Sequence, residues 1–146
     1  MRRAILGVLL ALGVAGAAGA AEYVVVASTD PAVKVGASVD AGQRLALGAG
    51  QTVRLMSASG EVSTLKGGAS GATVPKAAAS DPVRVQALAA LVSPPPTGRV
   101  FGGRRGGVCP DPADLKSFDA ILAAQAGGCA SAAREAFDTY LARTTK

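Results

Sequence analysis

Histidine is absent from all 146 residues. That removes the Ser-His-Asp and Cys-His catalytic groups, the HExxH zinc site, and any imidazole acting as acid or base near neutral pH. Among the remaining residue types, Ser63-Thr64-Leu65-Lys66 spells the S-x-x-K of serine β-lactamases, in which a lysine one helical turn away deprotonates the serine. Here the surrounding residues alternate as a strand, which turns Ser63 and Leu65 to one face and Thr64 and Lys66 to the other. Asp111, Asp114 and Asp119 gather near a helix start, where capping and the helix dipole account for Asp111 and Asp114. Their spacing lacks the alternating D-x-D-x-D-G of a calcium loop, and two cysteines without histidine fall short of zinc's four ligands. The sequence therefore predicts no metal, no cofactor and no enzyme.

Two features could still bind or cross-link. Pro96 to Gly107 carries Arg99, Arg104 and Arg105 among glycines, and backbone amides flanked by arginine can hold a phosphate or carboxylate. An RNA-binding reading of Gly102-Gly103-Arg104-Arg105-Gly106-Gly107 fails for want of aromatic residues to stack on bases, because only Phe101 is present. Cys109 and Cys129 are the only cysteines. A bridge between them would close a loop of about 20 residues and stabilise by roughly 3 kcal/mol. It faces a geometric condition, since a straight helix from Pro112 to Ala126 is about 20 Å long and would hold the cysteines at opposite ends. Their Cα atoms must come within about 7 Å, so the segment at Cys109 must fold back, or the helix must be short. Two free buried thiols are the alternative.

The compartment comes from the N-terminus. Arg2-Arg3, the apolar run Ala4 to Val14 and the small residues Ala15 to Ala21 read as a signal peptide spanning 1–21, with Ala18-Gly19-Ala20 as the A-x-A cleavage site. Gly7, Gly13, Gly16 and Gly19 interrupt the run, which is too short for a stable span. The full chain has 15 basic and 10 acidic residues, a net charge of +5, and removing Arg2 and Arg3 lowers it to +3. That excess is ordinary for solubility and does not call for nucleic acid. The alanine, glycine and arginine bias without asparagine points to a GC-rich bacterial genome, and hence to a periplasmic or secreted protein.

The elements that must position these residues follow a fold of the α+β class, a small antiparallel β meander or roll followed by helices ending in an αα-hairpin. Residues 22–75 form the β module, 76–110 a linker with a short helix and the Gly/Arg loop, and 111–146 the hairpin. Tyr23-Val24-Val25-Val26 is a β-branched and aromatic run that reads as a buried first strand. Ala41-Gly42-Gln43-Arg44-Leu45-Ala46-Leu47 nearly recurs eight residues later as Ala49-Gly50-Gln51-Thr52-Val53-Arg54-Leu55. Each copy sets a glycine turn before an alternating segment, with Leu45, Leu47, Val53 and Leu55 inward, which predicts adjacent antiparallel strands. Ser57-Ala58-Ser59-Gly60 marks the next turn, Glu61 to Lys66 the next strand, and Gly68 to Ala79 a linker. Asp81-Pro82 starts a helix that Ser93-Pro94-Pro95-Pro96 stops; Asp111-Pro112 starts another that Gly127-Gly128 ends; a last helix runs from about Cys129 to Arg143.

Val35-Gly36, Ala41-Gly42-Gln43-Arg44-Leu45, Ser59-Gly60-Glu61-Val62 and Leu65-Lys66-Gly67 together resemble the FecR-type periplasmic β domain, in which a glycine-introduced strand is followed by a hairpin with an acidic-Gly turn. Serine stands here in place of that acidic residue before Gly60. The resemblance implies an antiparallel β roll outside the cytoplasmic membrane, used for sensing or protein contact, and transfers no site residues. The functional expectation is thus an exported, non-enzymatic accessory or sensing module that binds an envelope protein or an anionic polymer through a sheet edge or the Arg99, Arg104 and Arg105 loop. A structural envelope protein forming a homodimer through its helical hairpin is the second reading. A small Ser/Lys hydrolase ranks last.

Overall fold

The computed structural model describes residues 22–76, 81–93 and 108–144. The expected signal peptide and Arg99, Arg104 and Arg105 lie outside the described residues. Strand β1 is Tyr23–Ser28, β2 Ser38–Val39, β3 Arg44–Leu45, β4 Thr52–Ser57, β5 Val62–Lys66 and β6 Ala72–Thr73. Helix α1 is Pro82–Val92, a 3-10 turn spans Pro112–Asp114, α2 is Phe118–Ala126 and α3 is Ala130–Thr144. Four strands form an antiparallel sheet in the order β2-β1-β4-β5, while β3 and β6 form a separate two-stranded ribbon. The chain is α+β, and α2 and α3 make the closing hairpin.

The sheet is covered on both sides because its central strand carries four consecutive apolar residues, two for each face. Val24 and Val26 of β1 join Met56 of β4 and Ala58 against the buried faces of the helices: Val85, Leu88 and Leu91 of α1, Ile121 of α2, Ala133 and Phe137 of α3. Tyr23, Val25, Val53 and Leu55 point the other way, where Val39, Leu45, Leu47 and Val74 close a second core. A register shift between Val25 and Ala27 marks a bulge that leaves Val26 without a partner on β4. Alternation alone sets Val24 and Val26 on the helix side, and the extra residue resets the register beyond them, so that Ala27 is opposite Arg54 and Ser28 opposite Val53. Helices and sheet therefore share one core, as a hairpin too poor in large apolar residues to stand alone requires.

The eight-residue repeat behaves differently from the expected meander. Its inward residues are all buried, but its two strands do not pair: β3 pairs with β6, and β4 with β1 and β5. What repeats is a turn. Gln43 N donates to Asp40 O at 3.2 Å and Gln51 N to Gly48 O at 3.0 Å. In each, the glutamine side chain accepts from the backbone N–H three residues earlier, Asp40 at 3.1 Å and Gly48 at 2.6 Å. Gly42 and Gly50 take φ of 75° and 81° at the third turn position, which a type II turn demands. The spacing thus encodes two equivalent corners rather than two neighbouring strands. The stretch expected as linker from Gly68 to Ala79 likewise contains β6 and the buried Val74, because Val74 N donates to Gln43 O and Gly42 N to Val74 O, both at 2.9 Å.

Helix α1 starts where Asp81-Pro82 predicts, with the Asp81 carboxylate accepting from Val83 N and Arg84 N, both at 3.1 Å. The single helix expected over 112–126 is instead broken. Asp111 caps a 3-10 turn through Ala113 N, Lys116 N turns back to Asp114 O, and Ser117 caps α2 by accepting from Ala120 N at 3.2 Å. Serine at this position offers the backbone a cap in place of a continued helix. The break satisfies the condition set by the cysteines: Cys109 and Cys129 are bridged, with Cα atoms 5.6 Å apart. Among the described residues no helix is long and apolar enough to cross a membrane.

Candidate functional site

The β4–β5 hairpin is where the sheet meets all three helices. Its turn, Ala58-Ser59-Gly60, has Gly60 at φ 87° after a Ser57 O to Gly60 N bond of 3.0 Å, the three-residue loop with a left-handed final residue. Side chains from the helices satisfy its outward carbonyls. Arg84 of α1 donates Nε to Ala58 O at 2.8 Å, and Tyr140 of α3 donates its hydroxyl to Gly60 O at 3.3 Å. The same arginine pairs with Asp119 in the first turn of α2 and lies 5.7 Å from the centre of the Phe118 ring, which in turn packs on Tyr140 at 5.8 Å. Asp119 is largely exposed, so the pair is worth little by itself. Its use is to hold Arg84 over the turn.

A groove of about 580 Å³ opens beside this turn, lined by Tyr23, Ser57, Ser59, Glu61, Ser63 and Lys76 among others. Ser57 is buried, shares a 2.8 Å hydroxyl contact with Ser59, and accepts from Glu61 N at 3.2 Å. The hydroxyls on its wall are thus partly engaged in holding the hairpin. Burial pushes the Tyr23 phenol above its ordinary value of 10.0, helped by the negative charges of Glu61 and Glu22. The folded chain therefore holds that proton more tightly than the unfolded chain. Its contribution to stability is complete below about pH 10 and is lost as pH rises through the raised folded value. Melting curves between pH 9 and 12 should show Tyr23→Phe losing less stability than the wild type over that window; identical curves would remove Tyr23 from this account.

The outer margin of the same hairpin is β5. Within the sheet its hydrogen-bonded neighbour is β4 alone. Ser57 N donates to Glu61 O at 2.9 Å and Gly67 N to Gln51 O at 2.7 Å, while Leu55 is opposite Ser63 and Val53 opposite Leu65. Antiparallel ladders alternate, so the odd-numbered residues bond inward and the backbone N–H and C=O of Val62, Thr64 and Lys66 face outward. Thr64 and Lys66 are exposed. Their side chains share the helix side of the sheet with Arg54 and Thr52, since Arg54 is directly opposite Thr64 and Thr52 opposite Lys66.

Several residues singled out from sequence have clear places. Cys109 and Cys129 come together. Ser63 and Lys66 do not, because β5 is extended and sends them to opposite faces. Asp111 caps the 3-10 turn, and Asp119 serves Arg84. No group of three His, Cys, Asp or Glu residues able to hold a metal occurs among the described residues. Arg84 itself escaped sequence reading, since its partner carbonyl lies 26 residues away and no local pattern announces it. Comparison with family models, curated proteins and solved structures finds no match for this chain.

Proposed function

We propose that this chain is an exported, non-enzymatic accessory or sensing module of the bacterial envelope, periplasmic or secreted, that binds a protein or polymer partner. The observation that carries this reading is the edge of β5, whose three outward backbone positions offer donors and acceptors to an added strand. The signal-type leader and the disulfide support an oxidising compartment. The FecR-type resemblance of Val35-Gly36, Ala41-Gly42-Gln43-Arg44-Leu45, Ser59-Gly60-Glu61-Val62 and Leu65-Lys66-Gly67 supports the same assignment. In the second reading the chain self-associates through its helical hairpin. We favour the edge because Ala133, Ala136 and Phe137 of α3 are already spent inside this chain's own core.

Thr64→Pro tests the edge. Its N–H faces outward, so proline there removes no bond to β4 and is tolerated as edge proline is. The variant should keep its far-ultraviolet circular dichroism and melt within a few degrees of the wild type, yet lose a partner recovered from periplasmic extract. Unchanged recovery would discard the edge as the contact. In the same experiment Arg104→Ala/Arg105→Ala asks whether the arginine loop contributes.

A further inference from the structure

The charge beside the β5 edge points to the chemistry of what pairs with it. Lys66 projects from the edge strand, and Arg54 projects from the next strand on the same side of the sheet, diagonal to it. Cross-strand diagonal positions are about 7–8 Å apart, so the two cations form a short basic stripe. The only ion pair found among the described residues is Arg84–Asp119, which leaves both stripe cations without a carboxylate there. Their immediate cross-strand neighbours are Thr64 and Thr52, which add hydroxyls and no charge. The helical core covers this side of the sheet at Val24, Val26 and Met56, with Val62 packed at its margin. The stripe continues the same side beyond that core.

Resting on the strand-addition reading above, we infer that the β5 edge selects an extended acidic peptide segment, taken as a fifth strand with its carboxylates over Lys66 and Arg54. An added strand lies about 4.8 Å from β5 and about 9.6 Å from β4. A glutamate opposite Lys66 meets its ammonium directly. A second glutamate two residues away, opposite Thr64, lies within reach of the long Arg54 side chain. The period of two in a strand places both on the stripe side, while the intervening residues face the other way. Backbone bonds at Val62, Thr64 and Lys66 supply affinity without regard to sequence, and the two cations supply the choice among sequences. A linear polyanion such as polyphosphate would meet the same charges but has no backbone N–H and C=O to pair with the edge.

The test uses fluorescence anisotropy of the mature protein with three labelled probes: an eight-residue peptide alternating glutamate and valine, the same peptide with lysine for glutamate, and polyphosphate. The acidic peptide is expected to bind about tenfold more tightly than the basic one, two cross-strand charge pairs accounting for the factor. Arg54→Glu/Lys66→Glu should reverse that preference, and Thr64→Pro should abolish binding of the acidic peptide with the fold retained. Amide shifts on titration should centre on Val62, Thr64 and Lys66. Equal binding of both peptides, still lost in Thr64→Pro, would overturn the acidic selectivity while leaving strand addition standing. Acidic-peptide binding that survives Thr64→Pro, or polyphosphate binding at least as tight as the peptide's, would overturn the proposal in favour of simple charge attraction. No binding of either peptide would overturn the proposal and strand addition with it.

Discussion

Replacing Gly60 with alanine is expected to destabilise the protein by about 3 kcal/mol and to lower its melting temperature by roughly 10 °C. Two costs combine. Gly60 has φ of 87°, where an L side chain clashes with its own backbone at about 1–2 kcal/mol. A Cβ at this position would also lie 2.8 Å from Cγ and Cδ1 of Phe118. Phe118 has little room to yield, being buried against the helices and held between Arg84 and Tyr140. Forcing it aside costs roughly a further 1–3 kcal/mol, as overpacking a core does. The two terms separate in a double-mutant cycle. In a Phe118→Ala background the steric term vanishes, so Gly60→Ala should there cost only the backbone term of about 1–2 kcal/mol. Equal costs in both backgrounds would show that Phe118 is not the obstacle. Because the turn touches α1, α2 and α3, the loss should appear as one cooperative transition lowered in temperature rather than as a separate melting of the sheet.

That turn also shows where the fold could be read from residues in order and where it could not. Ser57 to Gly60 announces a hairpin through local chemistry alone, a serine-rich corner ending on a glycine free to take positive φ, and Asp81-Pro82 announces α1 in the same way. Cap and turn energies act within four residues, so a linear reading reaches them. The pairing of β3 with β6 joins Arg44 to Thr73 and Leu45 to Ala72 across nearly thirty positions, through two-residue strands that show no periodicity. Alternation reported correctly that Leu45, Leu47, Val53 and Leu55 turn inward, but inward residues do not say which strand lies beside which. The break before α2 was concealed by spacing. Leu115, Phe118 and Leu122 fit one helical face and are all buried, yet Leu115 belongs to the preceding turn and Ser117 restarts the helix. As for the candidate site, Lys66 and the strand that carries it were legible, whereas Arg54 joins it only through the register of β4 on β5.

Reducing the bridge, or replacing the exposed Cys109 with serine, should lower stability by about 3 kcal/mol, comparable to the loss from Gly60→Ala but arising in the unfolded state. The two cysteines are 20 residues apart in sequence, and opening the bridge releases that loop in the unfolded chain. In the folded chain the two sulfurs have unequal settings. Cys129 is buried at the start of α3, where its carbonyl accepts from Ala133 N at 3.0 Å, whereas Cys109 lies on an exposed approach to the 3-10 turn. The substitutions should therefore differ. Cys109→Ser loses the cross-link and leaves Cys129 as a buried thiol, which packs as a small apolar group. Cys129→Ser adds a buried hydroxyl and costs roughly 1–3 kcal/mol more unless the hydroxyl finds a partner. Thermal melts of the oxidised protein, the reduced protein and both single variants would read this order directly. Cys109→Ser melting as the reduced wild type, with Cys129→Ser lower, would support it; a Cys109→Ser variant as stable as the oxidised protein would mean the bridge contributes nothing. Hydrogen exchange on the reduced protein should quicken most between Asp111 and Ser117, the short turn that connects Cys109 to α2 and is held beyond the bridge by few backbone bonds of its own.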